Sequence, residues 1–227
     1  MVSLEYMNKR KECVAMNTSD NRGRLVILRG YPGSGKSTLS REIMSESATN
    51  GTNAVIVSLD AFRVALAGSK LKWQEMCDTG NRSIMESIVA GLAHDARSRF
   101  LDLGFTVISD ATHLHYRTVA EEIAQAIRHD ADVEVHDVGV HLDFDDLIER
   151  NENRNDDDVI PVGVLKSMWD RNDGRKAFTA NAIELGIEYG EKSSWVLDLS
   201  DTVMVTRMDS RHTGEPIRES YSITKHW

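Results

Sequence analysis

The sequence predicts an α/β fold in which a parallel sheet is flanked by helices. Three short apolar runs have the composition of strands that are covered on both faces. The segments between and after them carry apolar residues at helical spacing, so that strands and helices alternate along the chain. This alternation is typical of right-handed crossover connections, and ligands then bind beyond the carboxyl ends of the strands.

The predicted strands are short runs bounded by polar residues or glycine. Residues 25–28, 54–57 and 105–108 read LVIL, AVIV and FTVI. Residues 133–138, VEVHDV, alternate between apolar and polar side chains before the next helical stretch. We therefore expect four strands, with the first three buried on both faces.

The predicted helices carry apolar residues about one turn apart. A long helix is expected to end near Gly104 and to present one apolar stripe to the sheet. That stripe consists of Ile84, Ile88, Leu92 and Ala96. Two further helices are indicated by Val119, Ile123 and Ile127, and by Leu147 and Ile148.

Composition restricts the class of protein. A chain of 227 residues with 41% hydrophobic and 28% charged side chains can bury a substantial core, and one main domain is expected. The net charge of −9 argues against a surface devoted to nucleic acid, so any polyanion site must be local. Cys13 and Cys77 do not form a metal-binding pair, and no stretch has the length of a membrane span or the apolar core of a signal peptide. We expect a cytoplasmic protein without a membrane partner.

One segment matches a phosphate-binding loop. Residues 30–38, GYPGSGKST, fill the pattern G-x-x-x-x-G-K-[ST] between a predicted strand and a predicted helix. This match predicts the fold of P-loop NTPases and the binding of ATP with Mg²⁺. The expected nucleotide-binding residues are Gly30, Pro32, Gly33, Ser34, Gly35, Lys36, Ser37 and Thr38. The loop alone does not separate kinases from ATPase motors or GTPases, because all of them share it.

Asp60 and Arg63 follow the second strand, and both are candidates for contacts with the molecule that accepts the phosphate. Asp60, in SLDAFR, is expected at the carboxyl edge of the sheet, where it could accept the proton of an attacking hydroxyl. The alternative is that Asp60 caps a helix over residues 61–67. Arg63 could grip an acceptor phosphate, or could be a solvated surface residue.

Three more charged residues complete the predicted site. Asp110 ends the third strand in TVISDAT and is expected to support Mg²⁺ through water or through Ser37, or else to cap the next helix. Arg150 and Arg154, in LIERNENR, are expected to align on one helical face and to close over a transferring phosphate. A plain exposed basic edge is the alternative for this pair.

Five blocks of sequence together resemble the kinase domain of the bacteriophage polynucleotide 5′-hydroxyl kinase family. The blocks are GYPGSGKST, SLDAFR, ISDAT, LIERNENR and IPVGVLKSMWDR, within residues 24–178. The residues that match functional positions of this family are Lys36, Ser37, Asp60, Arg63, Asp110 and Arg154. The resemblance implies that Lys36 holds donor phosphate and that Ser37 binds Mg²⁺. It implies that Asp60 activates the hydroxyl and that Arg63 contacts acceptor phosphate. It also implies that Asp110 supports the site and that Arg154 contacts donor phosphate from a helical lid.

The sequence departs from that family in two places. The lid continues into the acidic residues 155–158, NDDD, where a nucleic-acid channel would favour basic side chains. The segment VLDLSDT lacks the second Asp and the Gly of the phosphatase motif D-x-D-G-T, so a phosphatase domain is not expected. We therefore divide the chain into a loosely ordered leader (1–23), a kinase domain (24–180) and an extension (181–227) that forms a hairpin or a dimer contact, which leaves a homo-oligomer open.

The hypothesis from sequence is a kinase that transfers the γ-phosphate of ATP to a hydroxyl of DNA or RNA, most naturally a 5′-hydroxyl. Asp60 would be the base, Arg63 the acceptor anchor, and Lys36, Arg150 and Arg154 the groups that stabilise charge. One alternative acceptor is a hydroxymethyl pyrimidine base in viral DNA, in which case the protein acts in a host cytoplasm. Others are a small nucleotide-like or sugar-like alcohol, or no acceptor at all, as in an ATP-dependent switch or binding protein.

Overall fold

Six strands form one sheet in the described part of the chain, and the first four carry the site. They are β1 (Arg24–Arg29), β2 (Ala54–Ser58), β3 (Thr106–Asp110), β4 (Asp132–Val138), β5 (Thr202–Met208) and β6 (Ile217–Ser222). The computed structural model describes residues 22–139, 141–154, 158–172, 174, 202–208 and 217–222. Residues 1–21 of the predicted leader, 155–157 of the acidic run and the segment VLDLSDT as far as Asp201 lie outside this part.

The strand order is β2-β3-β1-β4-β5-β6. Neighbours from β2 to β5 run parallel, and β6 pairs antiparallel with β5. The chain leaves β1, makes β2 two positions away, returns to β3 beside β1, and then crosses to β4 on the other side. This reversal of direction beside β1 opens a crevice at the carboxyl ends of the strands.

Seven helices occur in the residues that the structure describes. They are α1 (Lys36–Thr49), α2 (Leu59–Ala67), α3 (Lys70–Thr79), α4 (Arg82–Asp102), α5 (Tyr116–Arg128), α6 (Phe144–Glu152) and α7 (Val162–Arg171). The predicted parallel sheet flanked by helices is therefore confirmed. No helix in the described ranges has the length and apolar character needed to cross a membrane.

The two faces of β1 are buried by different helices. Leu25 and Ile27 pack in the layer that contains α4 and α5, whereas Val26 and Leu28 pack against α1, and all four side chains are 0% exposed. The edge strand β2 is different, since Ile56 is 37% exposed. The expectation of cover on both faces is therefore wrong for β2, which is the outermost strand on its side of the sheet.

Helix α4 ends where the sequence predicts, but it buries a neighbouring row of residues. Its buried residues are Val89, Ala93, Arg97 and Leu101, whereas Ile84, Ile88 and Leu92 are 57%, 47% and 38% exposed. Each row recurs every four positions, and the two rows lie about 100° apart around the helix. The predicted orientation of this stripe is therefore wrong, although Ala96, at its end, packs partly against the core.

Candidate active site

The loop between β1 and α1 has a shape that depends on its glycines. Gly35 caps α1 with a φ of 105°, in the left-handed region that side chains rarely adopt. At Gly30, a Cβ atom would lie 2.4 Å from Oγ of Ser34 and 2.6 Å from the carbonyl oxygen of Val138. The loop is thus drawn tightly between the ends of β1 and β4, and the backbone fold predicted from GYPGSGKST is present.

The remaining loop residues form the wall of this turn and the start of α1. Pro32 and Ser34 are buried, and the N–H of Ser34 donates to the carbonyl of Tyr31 (3.1 Å). Ser37 and Thr38 are exposed in the first turn of α1, and the N–H of Thr38 donates to the carbonyl of Gly35 (3.0 Å). The hydroxyls of the first turn therefore face the open side of the loop, where a phosphate-bound cation would lie.

Lys36 lies inside the loop. Its ammonium donates to the carbonyls of Gly30 and Tyr31, at 2.9 Å each. Burial lowers the pKa of Lys36 from 10.5 to about 8; Asp110 and Asp60 oppose this shift, and Arg154 adds to it. The ammonium of Lys36 therefore interacts with Asp110 at the end of β3, with Asp60 in α2 and with Arg154 after α6.

Asp110 stands at the end of β3, next to the start of α1. Burial raises the pKa of its carboxyl group, while Lys36 and a hydrogen bond from the Ser37 hydroxyl oppose that rise. The N-cap of α5 is His115, five residues further on, so Asp110 does not cap that helix. The structure thus brings Asp110, Ser37 and Lys36 together and rejects the capping alternative.

Asp60 occupies the first turn of α2, directly after β2. The N-cap of this helix is Ser58, whose side chain accepts from the N–H of Ala61 (3.4 Å). The capping alternative for Asp60 is therefore wrong as well. Its carboxylate acts electrostatically on Lys36 and on Asp110, and its side chain is 62% exposed, so it is open to an incoming group.

Arg63 is held between two carboxylates. Nη1 donates to Oδ1 of Asp60 (2.5 Å), and Nη2 donates to Oε2 of Glu86 on α4 (2.7 Å). The indole N–H of Trp73 on α3 also donates to Glu86 (3.3 Å). Arg63 is thus a partly buried member of a cluster, and its alternative as a solvated residue is wrong. Glu86 could not be predicted from the sequence, because it lies in a part of α4 remote from the motifs.

Arg150 and Arg154 approach the loop in different ways. A Cβ atom built on Gly33 would lie 3.5 Å from Cβ of Arg150, so α6 rests directly against the tip of the loop. Helix α6 ends at Glu152 with Asn153 as its C-cap, so Arg154 lies beyond the helix. The expectation that both arginines share one helical face is wrong, yet Arg154 still acts on Lys36.

Helices α6 and α7 are joined to the loop by an apolar cluster around Tyr31. This residue is 1% exposed, its ring lies 5.0 Å from that of Trp169, and its hydroxyl donates to the carbonyl of Gly174 (2.9 Å). The other buried members of the cluster are Leu142, Leu147 and Leu165. The predicted helical lid is thus present, and its base is anchored in the loop. Trp169 packs against this cluster.

The residues present fit a magnesium ion bound together with a nucleotide. Ser37 and Asp110 offer a hydroxyl and a carboxylate, which are hard oxygen donors. The described residues contain no cluster of three or more His, Cys, Asp or Glu side chains that could hold a metal alone. Such a cluster is unnecessary, because Mg²⁺ in phosphoryl-transfer sites takes one or two protein ligands and completes its shell with phosphate oxygens and water.

The parallel sheet, the glycine loop after β1 and the helix that follows it define a P-loop nucleotide-binding protein with the fold of the P-loop kinase type. The chain belongs to the AAA domain family, whose model matches residues 25–174. No curated protein sequence matches the chain.

Several solved structures resemble the chain at low sequence identity. A Pnkp1/Rnl/Hen1 complex matches at 24% identity with a TM-score of 0.44, covering 59% of this chain and 41% of that one. The PezAT chromosomal toxin–antitoxin system of Streptococcus pneumoniae matches at 13% with a TM-score of 0.48, covering 89% and 74%. AvrRxo1-ORF1:ORF2 with ATP matches at 15% with a TM-score of 0.46, covering 94% and 64%. Our chain spans less than half of the Pnkp1-containing match, and the family assignment depends on the sequence match alone.

Proposed function

We propose that this protein is a kinase that transfers the γ-phosphoryl group of ATP to a hydroxyl of a nucleic acid, most naturally the 5′-hydroxyl of DNA or RNA. The observation that supports this proposal is the field around Lys36, which combines Asp60, Asp110 and Arg154. A nucleotide cradle needs only the loop and its lysine. An added carboxylate open to solvent, at the carboxyl edge of the sheet, is what a hydroxyl acceptor requires.

On the donor side, the chain would bind and neutralise the triphosphate. The N–H groups of the loop and the amino end of α1 would face the phosphates, and Lys36 would supply a buried positive charge. Arg150 and Arg154 would add positive charge as it is needed in the transition state. Magnesium, held by Ser37 and Asp110, would supply further neutralisation of the phosphate oxygens.

On the acceptor side, Asp60 would take the proton of the attacking hydroxyl as the new O–P bond forms and the bond to ADP breaks. Arg63 would anchor a phosphate of the acceptor strand. To do so, its guanidinium must exchange at least one of its two carboxylate partners, Asp60 or Glu86, for the incoming phosphate. Release from Asp60 would also free that carboxylate to meet the hydroxyl.

The same cluster favours a second class of acceptor. Asp60, Arg63 and Glu86 together carry one net negative charge when all three are ionised, and that charge opposes the approach of a phosphate-rich strand. An uncharged alcohol avoids this cost. The second candidate is therefore a small sugar-like alcohol that carries no phosphate.

Acceptor competition separates these candidates. Radiolabelled ATP is offered with 5′-hydroxyl oligonucleotides of DNA and RNA, with hydroxymethylated duplex, and with small alcohols, and the labelled product is identified. Label on oligonucleotide ends or on the duplex base supports a nucleic-acid acceptor and tells the two positions apart, and label on the small alcohols supports the second candidate. ADP release that no acceptor accelerates would contradict both and indicate a nucleotide-dependent switch.

The role of Asp60 predicts a specific defect in the variant Asp60→Asn. Removing the base is expected to lower turnover by about 10²–10⁴-fold while the affinity for nucleotide changes little. Turnover is measured with saturating acceptor, and nucleotide binding is measured by calorimetry. The matched control is Asp95→Asn, which changes an exposed acid on α4 and is expected to be neutral. Full turnover in Asp60→Asn would exclude this residue as the base.

A further inference from the structure

A buried charged network lies behind the phosphate loop, and the proposed reaction does not use it. Oε1 of Glu122, on α5, lies 3.0 Å from Nη1 of Arg97 on α4 and 3.2 Å from Nε2 of His113. The side chains of His113, Glu122 and Arg97 are 0%, 7% and 10% exposed. Buried charges are costly unless they are paired, so this arrangement calls for an explanation.

His113 connects this network to the end of β1. Its Nδ1 lies 2.8 Å from the carbonyl oxygen of Leu28, which can only accept, so Nδ1 carries a proton. Leu28 is two residues before Gly30. The next link is in the backbone, where the N–H of Gly30 donates to the carbonyl of Thr112 (2.9 Å). Two adjacent residues of the segment after β3 therefore hold the entrance of the phosphate loop.

The backbone of His113 is itself in a costly conformation. Its φ is 47°, in the left-handed region where residues other than glycine are uncommon. Such a conformation persists only when surrounding contacts impose it. Here the contacts of the imidazole with Leu28 and Glu122 do so. The turn after β3 is thus shaped by the His113 side chain.

The ring nitrogens of His113 both face acceptors, which favours the imidazolium. Burial alone would lower the pKa of His113, but the carboxylate of Glu122 and the carbonyl of Leu28 together raise it. Burial likewise opposes ionisation of Glu122, yet His113, Arg97 and Ser109 bring the pKa of Glu122 down to about 2. Arg97 and Asp110 are further charged groups that interact with His113. The geometry of the ring and the directions of both pKa shifts favour the same ion pair.

We propose that His113 is a positioning residue that fixes the entrance of the phosphate loop by donating from Nδ1 to the carbonyl of Leu28, while Glu122 holds the ring in place. The inference rests on nucleotide binding in the proposed function and is independent of the acceptor. It assigns to the loop a support from the segment after β3, outside the glycine-rich motif itself.

Two substitutions of the same residue separate positioning from mere stability. His113→Ala removes the contacts of the ring with Leu28, with Glu122 and with the Ser109 hydroxyl (3.5 Å). His113→Asn also loses Glu122, but its amide nitrogen lies at the place of Nδ1 and can still donate to Leu28, and asparagine tolerates positive φ. Both variants are expected to unfold at lower urea concentration than the wild type. His113→Ala is expected to bind ATP·Mg about tenfold more weakly, and His113→Asn to stay within about threefold of the wild type.

The readouts are the dissociation constant for ATP·Mg by calorimetry and the urea midpoint of each variant. His129→Ala is the control, because His129 pairs with Asp102 at the far end of α5 and is expected to leave affinity unchanged. Equal affinities of His113→Ala and His113→Asn, whether normal or weakened, would overturn the proposal.

A further variant keeps the test decisive if His113→Ala does not fold. Glu122→Gln retains the donation from His113 to Leu28 in a neutral ring, so it is expected to lower stability and to keep wild-type affinity. Weakened affinity in Glu122→Gln would overturn the positioning role of Nδ1. Wild-type protein that bound no ATP·Mg would instead overturn the proposed function itself.

Discussion

At the scale of single residues, the ammonium of Lys36 shows how the site is balanced. It is buried, donates hydrogen bonds to two carbonyls of its own loop, and interacts electrostatically with the carboxylates of Asp110 and Asp60. Burial still dominates, and the pKa falls to about 8. The positive charge that a triphosphate needs is therefore present at neutral pH, and it is lost at a pH at which an ordinary lysine would still be charged.

This shift predicts the pH dependence of nucleotide binding. The pKa of Lys36 is lowered from 10.5 to about 8, so the free protein holds the charged form below that pH and loses it above. Affinity for ATP·Mg is expected to be constant from pH 6.5 to 7.5, and to fall by about tenfold per pH unit well above the pKa. Calorimetric titrations in matched buffers measure it. The variant Lys36→Arg, whose charge persists, should bind without this alkaline decline, and a wild-type profile that is flat to pH 10 would contradict the prediction.

The sequence predicts those site residues that follow a strand or belong to the glycine motif. Asp60, Asp110 and Lys36 are predicted this way, since the carboxyl ends of parallel strands meet at one edge. Glu86 and His113 carry no such signal. Glu86 meets Arg63 of α2 and Trp73 of α3, and His113 meets Leu28 of β1 and Glu122 of α5, so only the packing of these elements reveals them.

At the scale of elements, a buried amide links helix α6 to the approach of α7, in addition to the apolar cluster around Tyr31. Asn151 is 0% exposed, accepts from the N–H of Ile160 (3.0 Å) and donates to its carbonyl (2.7 Å). One side chain thus satisfies both backbone groups of a residue that precedes α7. The last turn of α6 and the approach to α7 are fixed together by this pair of bonds.

The loss of this amide is expected to weaken the lid more than the loss of an exposed one. Asn151→Ala leaves two backbone groups without their partner and is expected to lower the free energy of unfolding by about 2–4 kcal/mol. Asn153→Ala is the matched control, because the Asn153 amide is exposed and bonds only to the carbonyl of Glu149 (2.9 Å) within the helix end. Urea denaturation measures both. Equal losses in the two variants would contradict the importance given to burial.

Periodicity identified the elements better than it identified their buried faces. Helix α4 offers two rows of residues, and the row that packs contains Arg97, which a hydrophobic pattern disfavours. The charge of Arg97 is met by Glu122 (3.0 Å) and by Gln125 (2.9 Å) on α5, so this row becomes the better one in the folded protein. A compensation made by another helix cannot be read from the α4 segment.

At the scale of the whole molecule, β1 is the central link between the two halves of the site. It pairs with β3, which carries Asp110, and with β4, which leads to α6. The ends of β1 and β4 are joined by a buried, bidentate ion pair, with Nε and Nη2 of Arg29 each 2.7 Å from an oxygen of Asp137. Arg29 is the residue directly before the phosphate loop.

Breaking this ion pair by removing one partner is expected to lower the free energy of unfolding more than replacing both residues by apolar ones. Asp137→Ala leaves Arg29 buried beside its lost partner and is expected to reduce the free energy of unfolding by about 3–5 kcal/mol. The double variant Arg29→Met with Asp137→Leu removes both charges and is expected to recover most of that loss. Urea denaturation of the single and double variants tests this. A double variant as unstable as the single one would show that the charge left behind is not the cause.

The sequence predicts the parallel character of the sheet and the four strands that form the site, but it does not specify their order. Crossover rules allow β2 and β4 on either side of β1, and long-range packing decides between them. The C-terminal strands are a second example. β5 extends the same sheet beside β4, and β6 pairs with β5, so the part of the predicted extension that the structure describes is continuous with the nucleotide-binding sheet.

The buried ring of Tyr31 limits how the phosphate loop can move relative to α6 and α7. The ring of Tyr31 packs among α6 and α7, and its neighbours in sequence form the phosphate loop. The loop and these two helices are therefore packed together at their base. We therefore expect the loop, α6 and α7 to move as one body, and the loop to keep its shape whether or not nucleotide is bound.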